Sequence, residues 1–389
     1  MKRNIYLMYA ISLLQGMVFY GPVATLYRQV QGVSIFQITL IESISLILCI
    51  LLEIPWGIVA DKIGYRKTMI FCCSLYFVSK IVFWQATGFV WFLTERVILS
   101  IVLAGLSGVD TSILYLSCKE KESQKVFGIY NSLGTAGLLF AAAAFSLLIK
   151  DNYPLSGLLT VMSYGIAALL SFGLHEVKSA ESTPASVSQF KEILYQTLRS
   201  KSLLLFLLYA AFLSETHQTI TVFLNQLQYE KCGLGNSAIG YLYILATLIG
   251  TCSIFSDRLT RKLGIKMTGI LLGCAAVFSC IILTLAGSAL PSICGILLLR
   301  ISNSLFTPFQ TEIQNRQIQT TNRATALSIQ AMFIDSVAIG TNLIFGSLAE
   351  KNLAISYIFG AGICITSVIL FLIWHQAAAK QMLSLNQVK

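Results

Sequence analysis

Twelve predominantly apolar runs dominate this chain of 389 residues, near 5–27, 35–59, 68–88, 91–115, 127–149 and 154–175, then near 202–225, 237–256, 267–287, 291–313, 324–348 and 353–376. A helix needs about 20 mainly apolar residues to cross a bilayer. Composition agrees: 56% of residues are hydrophobic and 11% charged, with mean hydropathy +0.76, whereas soluble domains carry about 25% charged residues. So little charge cannot cover a water-facing surface, and lipid is the solvent for most of the chain. The spacing predicts an all-α membrane protein of 12 transmembrane helices in two six-helix bundles, 1–175 and 202–389.

Basic residues orient the helices. Twenty of the 27 lysines and arginines fall on the side that also holds both termini, among them Lys2, Arg3, Lys62, Arg66, Lys67, Arg258, Arg261, Lys266 and Arg316. The opposite loops hold four: Arg28, Lys150, Lys231 and Lys351. Lysine and arginine accumulate in cytoplasmic loops, so both termini are expected in the cytoplasm. The net charge of +10 comes in twos and threes between apolar runs, which argues against nucleic acid as a partner. The ten cysteines include no Cys-x-x-Cys, and His175, His217 and His375 lie far apart. Neither a metal site, a disulfide framework nor a cofactor is expected. The opening "MKRNIYLMYAISLLQGMVFYG" has a spanning-length apolar run without an A-x-A site, and reads as an uncleaved first helix. The linker 176–201 begins Ser-rich and ends with Phe190, Ile193, Leu194 and Leu198 on one helical side. It reads either as an amphipathic helix at the membrane interface or as a tether.

Between the second and third runs stands "GIVADKIGYRKT" (57–68). Asp61 is placed to meet the unpaired N–H groups of a neighbouring helix N-terminus. Gly57 and Gly64 permit close backbone approach, while Lys62 and Arg66 hold the turn in the cytoplasm. Together they read as a charge clasp that holds one conformation and releases in another. The second half echoes this with Asp257, Arg258 and Gly264; "GVSIFQI" (32–38) is echoed by "GLGNSAI" (233–239), and Arg96 by Arg300. Three matches in one order indicate duplication, hence two pseudo-symmetric halves.

Glycine, three residues, aspartate, a basic residue, one residue, glycine, then basics resembles the loop 2–3 signature of the major facilitator superfamily. Gly57, Asp61, Lys62, Gly64 and Arg66 carry it. "RATALS" (323–328) resembles bacterial exporter-like members, and "ERVILS" (95–100) resembles the helix 4 arginine motif, with Ser100 where glycine is usual. The resemblance implies a secondary transporter with substrate bound near the membrane midplane. Two departures stand out. Ser253 replaces the first glycine of the second copy, and "GTAGLLFAAAAFSLL" (134–148) lacks the glycine–proline antiporter signature.

Ionisable residues inside spans are costly and point to function. At 1.5 Å per residue, Glu42, Glu95, Arg96 and Lys80 share a layer about 8–12 Å below one surface, and Glu215, Arg300 and Asp335 lie about 16–20 Å from the other. Lys80 is expected to snorkel and pair. Glu42, Arg96, Glu215, His217, Arg300 and Asp335 are the coupling or substrate candidates. Glu215 is the first choice to carry a proton, with Asp335 the alternative and His217 an assistant. Glu53 is expected to support the clasp, and Gln15, Tyr20, Tyr241, Tyr243, Asn303 and Phe306 to line a cavity. The balanced interior charges favour a neutral, zwitterionic or weakly cationic small molecule. No G-x-x-x-x-G-K loop is present, so an ion gradient, with the proton as first choice, is the expected energy source. No catalytic set supports an enzyme. The expectation is a monomeric secondary active transporter working by alternating access, exporting by proton antiport. The alternatives are a nutrient importer of the same fold or a transporter-like membrane sensor.

Overall fold

In the computed structural model, residues 2–118, 122–177, 187–318 and 323–387 are described, and they form helices joined by short turns, with no strand among them. In chain order the helices are α1 (Lys2–Gly16), α2 (Ala24–Val30), α3 (Ile35–Ile63), α4 (Tyr65–Gln85), α5 (Gly88–Leu106), α6 (Val109–Ser117), α7 (Ser123–Ala144) and α8 (Tyr153–Ser171). Then come α9 (Val187–Arg199), α10 (Lys201–Gln218), α11 (Asn225–Lys231), α12 (Asn236–Ile249), α13 (Ser256–Leu285), α14 (Ala289–Gln317), α15 (Arg323–Lys351) and α16 (Leu353–Gln387). Among the described residues, eleven segments are long and apolar enough to cross a membrane, one of them the 50-residue stretch Asn236–Leu285. At 1.5 Å per residue that stretch is about 75 Å long, more than twice a ~30 Å hydrocarbon core. Gly264, at φ 76° and ψ 163°, breaks it. Two spans result, so the twelve expected are present.

By contacts the chain divides into two compact units, Met1–Pro184 with Gly235–Ile244, and Ala185–Leu234 with Leu245–Lys389. The segment 235–244 joins the first unit because Asn236 Nδ2 donates to Asp151 Oδ1 and to the Tyr153 hydroxyl, both at 2.9 Å.

In the first unit the expected continuous first helix is interrupted. The chain leaves helical geometry at residues 17–20, between α1 and a short 3-10 turn, Gly21–Val23. Pro22 accounts for part of the break: it has no N–H to donate to the carbonyl of Val18 four residues back. The backbone groups that the break releases find partners on α8. Ser163 Oγ donates to the Leu14 carbonyl and the Tyr164 hydroxyl to the Gln15 carbonyl, both at 2.6 Å, and Phe19 N–H donates to Thr160 Oγ1 at 3.0 Å. Below the break, α1 lies so close to α7 that a Cβ on Gly16 would strike the Gly134 carbonyl, and one on Gly137 the Leu13 carbonyl. Arg28, expected in a loop, is instead a buried residue of α2, because the helix runs past the apolar segment.

In the second unit, α10 packs Tyr209 among Phe306 of α14 and Phe371 of α16. The linker helix α9 uses its apolar side on α15: Ile193 packs with Ala326 and Ile329, flanked by Phe190 and Leu194.

Candidate functional site

The motif between α3 and α4 differs from the expected turn. Asp61 and Lys62 belong to the last turn of α3, and Gly64 alone links the helices, at φ 97° and ψ 149°. That backbone region is essentially restricted to glycine. A Cβ there would also sit 2.9 Å from a carboxylate oxygen of Glu176. Arg66 ties the same point to the end of α8. Its Nε donates to the Leu174 carbonyl at 2.5 Å, its Nη2 to the Phe172 carbonyl at 3.2 Å, and its N–H to Glu176 Oε1 at 3.2 Å. Lys62 is exposed. The surroundings of Gly57 and of the Asp61 side chain lie outside what is described. In the echo, Gly264 repeats the conformation of Gly64, but nothing lies within 4 Å of a Cβ built on it. Asp257 pairs with Arg261 one turn along the same exposed helix face instead of meeting another helix terminus. Arg258 lies over the Phe255 ring at 6.0 Å.

The charged layer of the first unit resolves into two ion pairs and a remainder. Arg96 on α5 pairs with Glu42 on α3. One turn on, Ser100 Oγ donates to the Arg96 carbonyl and lies 2.8 Å from Ser45 Oγ. Lys80 does not snorkel. Its side chain is 5% exposed and its Nζ lies 3.4 Å from Glu95 Oε1, itself 1% exposed. It also donates to the Tyr20 hydroxyl at 3.1 Å. The rings of Tyr20, Tyr76 and Tyr164 surround it with centroids at 5.8, 5.1 and 5.5 Å. Carboxylate, hydroxyl and ring faces thus replace the water that snorkelling would have supplied.

The remainder is Arg28. It is 9% exposed, its Nε is sealed without a partner, and it lies over the rings of Phe83 at 5.5 Å and Phe92 at 6.0 Å. Among the described residues it makes no ion pair. Cation–π contacts supply about 0.5–2 kcal/mol each, against several kcal/mol for taking a guanidinium out of water. The two rings alone do not balance its burial.

In the second unit, α10 passes into a π-helical segment, Thr219–Leu224. Such segments cluster at functional sites. Glu215 is 6% exposed and His217 0%. Thr219 Oγ1 lies 2.6 Å from Glu215 Oε1 and 3.0 Å from Asn342 Oδ1 of α15, all three groups buried. A hydroxyl has one proton to give, and as placed both neighbours are acceptors. Either the Asn342 amide turns its nitrogen to Thr219, or Glu215 is protonated and donates to Thr219, which then donates to Asn342. His217 packs against Phe306 with ring centroids 6.1 Å apart, and neither of its nitrogens has a partner among the described residues. Arg300 donates from Nε to the Ala246 carbonyl at 3.2 Å and acts electrostatically on His217. Asp335 is half-buried on α15.

The expected cavity groups fare unevenly. Phe306 and Tyr20 are buried among other side chains, and Gln15 donates to Cys73 Sγ at 3.6 Å. Asn303 and Tyr243 are half-buried and Tyr241 is exposed. Sequence reasoning missed Thr219, Asn342, Glu176 and Arg28. Thr219 and Asn342 were legible as polar residues within apolar runs, Thr219 one turn from Glu215. Arg28 lay one residue past the apparent end of its run.

Membrane-length helices that carry ion pairs within them define a polytopic membrane protein. The Major Facilitator Superfamily model matches residues 5–341, and the chain belongs to that superfamily. It is a transporter rather than an enzyme. Among solved structures, the nucleoside transporter NupG superposes with TM-score 0.79 at 16% identity, over 96% of this chain and 99% of that one. The POT family transporter PepTSo gives 0.76 at 15% identity, over 98% and 99%. A D-xylose–proton symporter gives 0.72 at 13% identity, over 95% and 96%. At such identities the likeness establishes the fold. No curated protein was found to match the chain by sequence.

Proposed function

We propose that this protein exports a small molecule across a bacterial cytoplasmic membrane by alternating access, with protons entering as the solute leaves and Glu215 as the proton carrier. The observation that carries this reading is the buried Glu215–Thr219–Asn342 array, whose two hydrogen-bond arrangements differ by one proton. Protonation of Glu215 would reverse the donors along the array and alter the grip of α10 on α15. In this reading the clasp at Gly64, Arg66 and Glu176 stabilises one conformation, and Arg300, Asp335 and His217 set the field around Glu215. The Glu42–Arg96 pair serves the same purpose in the first unit.

Proton-coupled uptake is the second reading. It is favoured by the missing helix 5 antiporter signature and by fold neighbours that include a D-xylose–proton symporter. Proteoliposomes holding a pH-sensitive dye separate the two. Solutes that stabilise the purified protein are added outside while solute and proton entry are both recorded. Antiport moves protons against the solute, and symport moves them with it. Solute movement with no proton movement at any pH would refute both.

A further inference from the structure

We propose that the first unit contains an anion subsite built on Arg28, which takes the carboxylate of a small solute. Arg28 sits near the end of α2, three residues before the turn at Gln31 and Gly32. It is nine-tenths buried, yet its Nε has no hydrogen-bond partner among the described residues. The guanidinium carbon lies over the rings of Phe83 and Phe92, which meet each other edge to face. The edge of the group, with its fork of N–H donors, is the part that matches a carboxylate.

Charge balance gives the class of ligand. Within the layer, Lys80 is matched by Glu95 and Arg96 by Glu42. The charges that act on Arg28 are those of Glu95, Arg96 and Glu42, so it remains as one uncompensated cation. A single negative charge neutralises the layer, whereas a dianion would overshoot it. The solute is therefore a monocarboxylate, a departure from the neutral, zwitterionic or weakly cationic molecule expected from sequence. If the transported molecule is the ligand, this subsite adds its substrate class to the function proposed above.

Binding is read without flux, so failure of the coupling mechanism leaves this test intact. The full-length protein is purified in neutral detergent and sodium sulfate buffer, and its unfolding midpoint is followed while acetate or benzoate is titrated. Acetamide and benzamide are the uncharged controls. The wild type should gain about 2–4 °C with carboxylate and nothing with amide. Arg28→Gln should abolish the gain. Arg28→Lys keeps the charge without the fork and should need roughly tenfold more carboxylate for the same shift. Three results would overturn the proposal: no carboxylate-dependent gain in the wild type, an equal gain in Arg28→Gln, or a gain produced only by phosphatidylglycerol, which would mark a lipid contact.

Discussion

Gly64 and Gly264 share a backbone conformation but have different neighbours, so the same substitution should read out different physics at each. An alanine at either position enters a region that costs about 1–3 kcal/mol for non-glycine residues. At Gly64 it also meets the Glu176 carboxylate, while at Gly264 it meets nothing. Gly64→Ala should therefore lower the unfolding midpoint more than Gly264→Ala; equal losses would mean that Glu176 simply moves aside. The Glu42–Arg96 pair allows a second residue-level test. Removing one partner of a fully buried pair costs about 3–5 kcal/mol; Arg96 and Glu42 are 19% and 15% exposed, so the loss here should be smaller. Glu42→Gln should destabilise the protein more than the double variant Glu42→Gln with Arg96→Gln, as measured by thermal unfolding. At this scale the sequence disclosed which charges share a depth, because rise per residue is fixed. It could not disclose who pairs with whom: Lys80 and Glu95 lie on different helices, and their pairing depends on how α4 and α5 face each other.

Helix boundaries and breaks were legible where a residue leaves the backbone no choice. Gly21-Pro22 inside the first apolar run was such a signal, and hydropathy alone hid it. Mending the break takes α8, whose Thr160, Ser163 and Tyr164 supply the missing partners. Thr160→Val keeps the shape but leaves Phe19 N–H without its acceptor, a loss of about 1–3 kcal/mol. Faster hydrogen exchange at the Phe19 amide, with exchange in α16 unchanged, would express that loss. Unchanged exchange at Phe19 would show that another group takes over. The α9 helix was legible from its apolar side, but only the fold supplied α15 as the surface that side covers.

The twelve-span architecture was the most legible feature of the whole molecule, since a bilayer fixes the length of every crossing element. The orientation expected from the basic loops predicts that Cys118 and Cys232 label from opposite sides. In intact cells, a variant keeping only Cys232 should react with an impermeant maleimide, and one keeping only Cys118 should react only after the membrane is opened. Reaction of both in intact cells would reverse or break the topology. The proposed proton mechanism was least legible, because it joins Glu215 to Thr219 and Asn342, and the latter lies 123 positions away from Thr219. Its most direct test compares two modes of transport in proteoliposomes bearing Glu215→Gln. Solute counterflow, which needs no net proton movement, should persist in the variant, while accumulation driven by a pH gradient should disappear. A variant that still accumulates solute in response to the gradient, with the pH dependence of the wild type, would contradict the account.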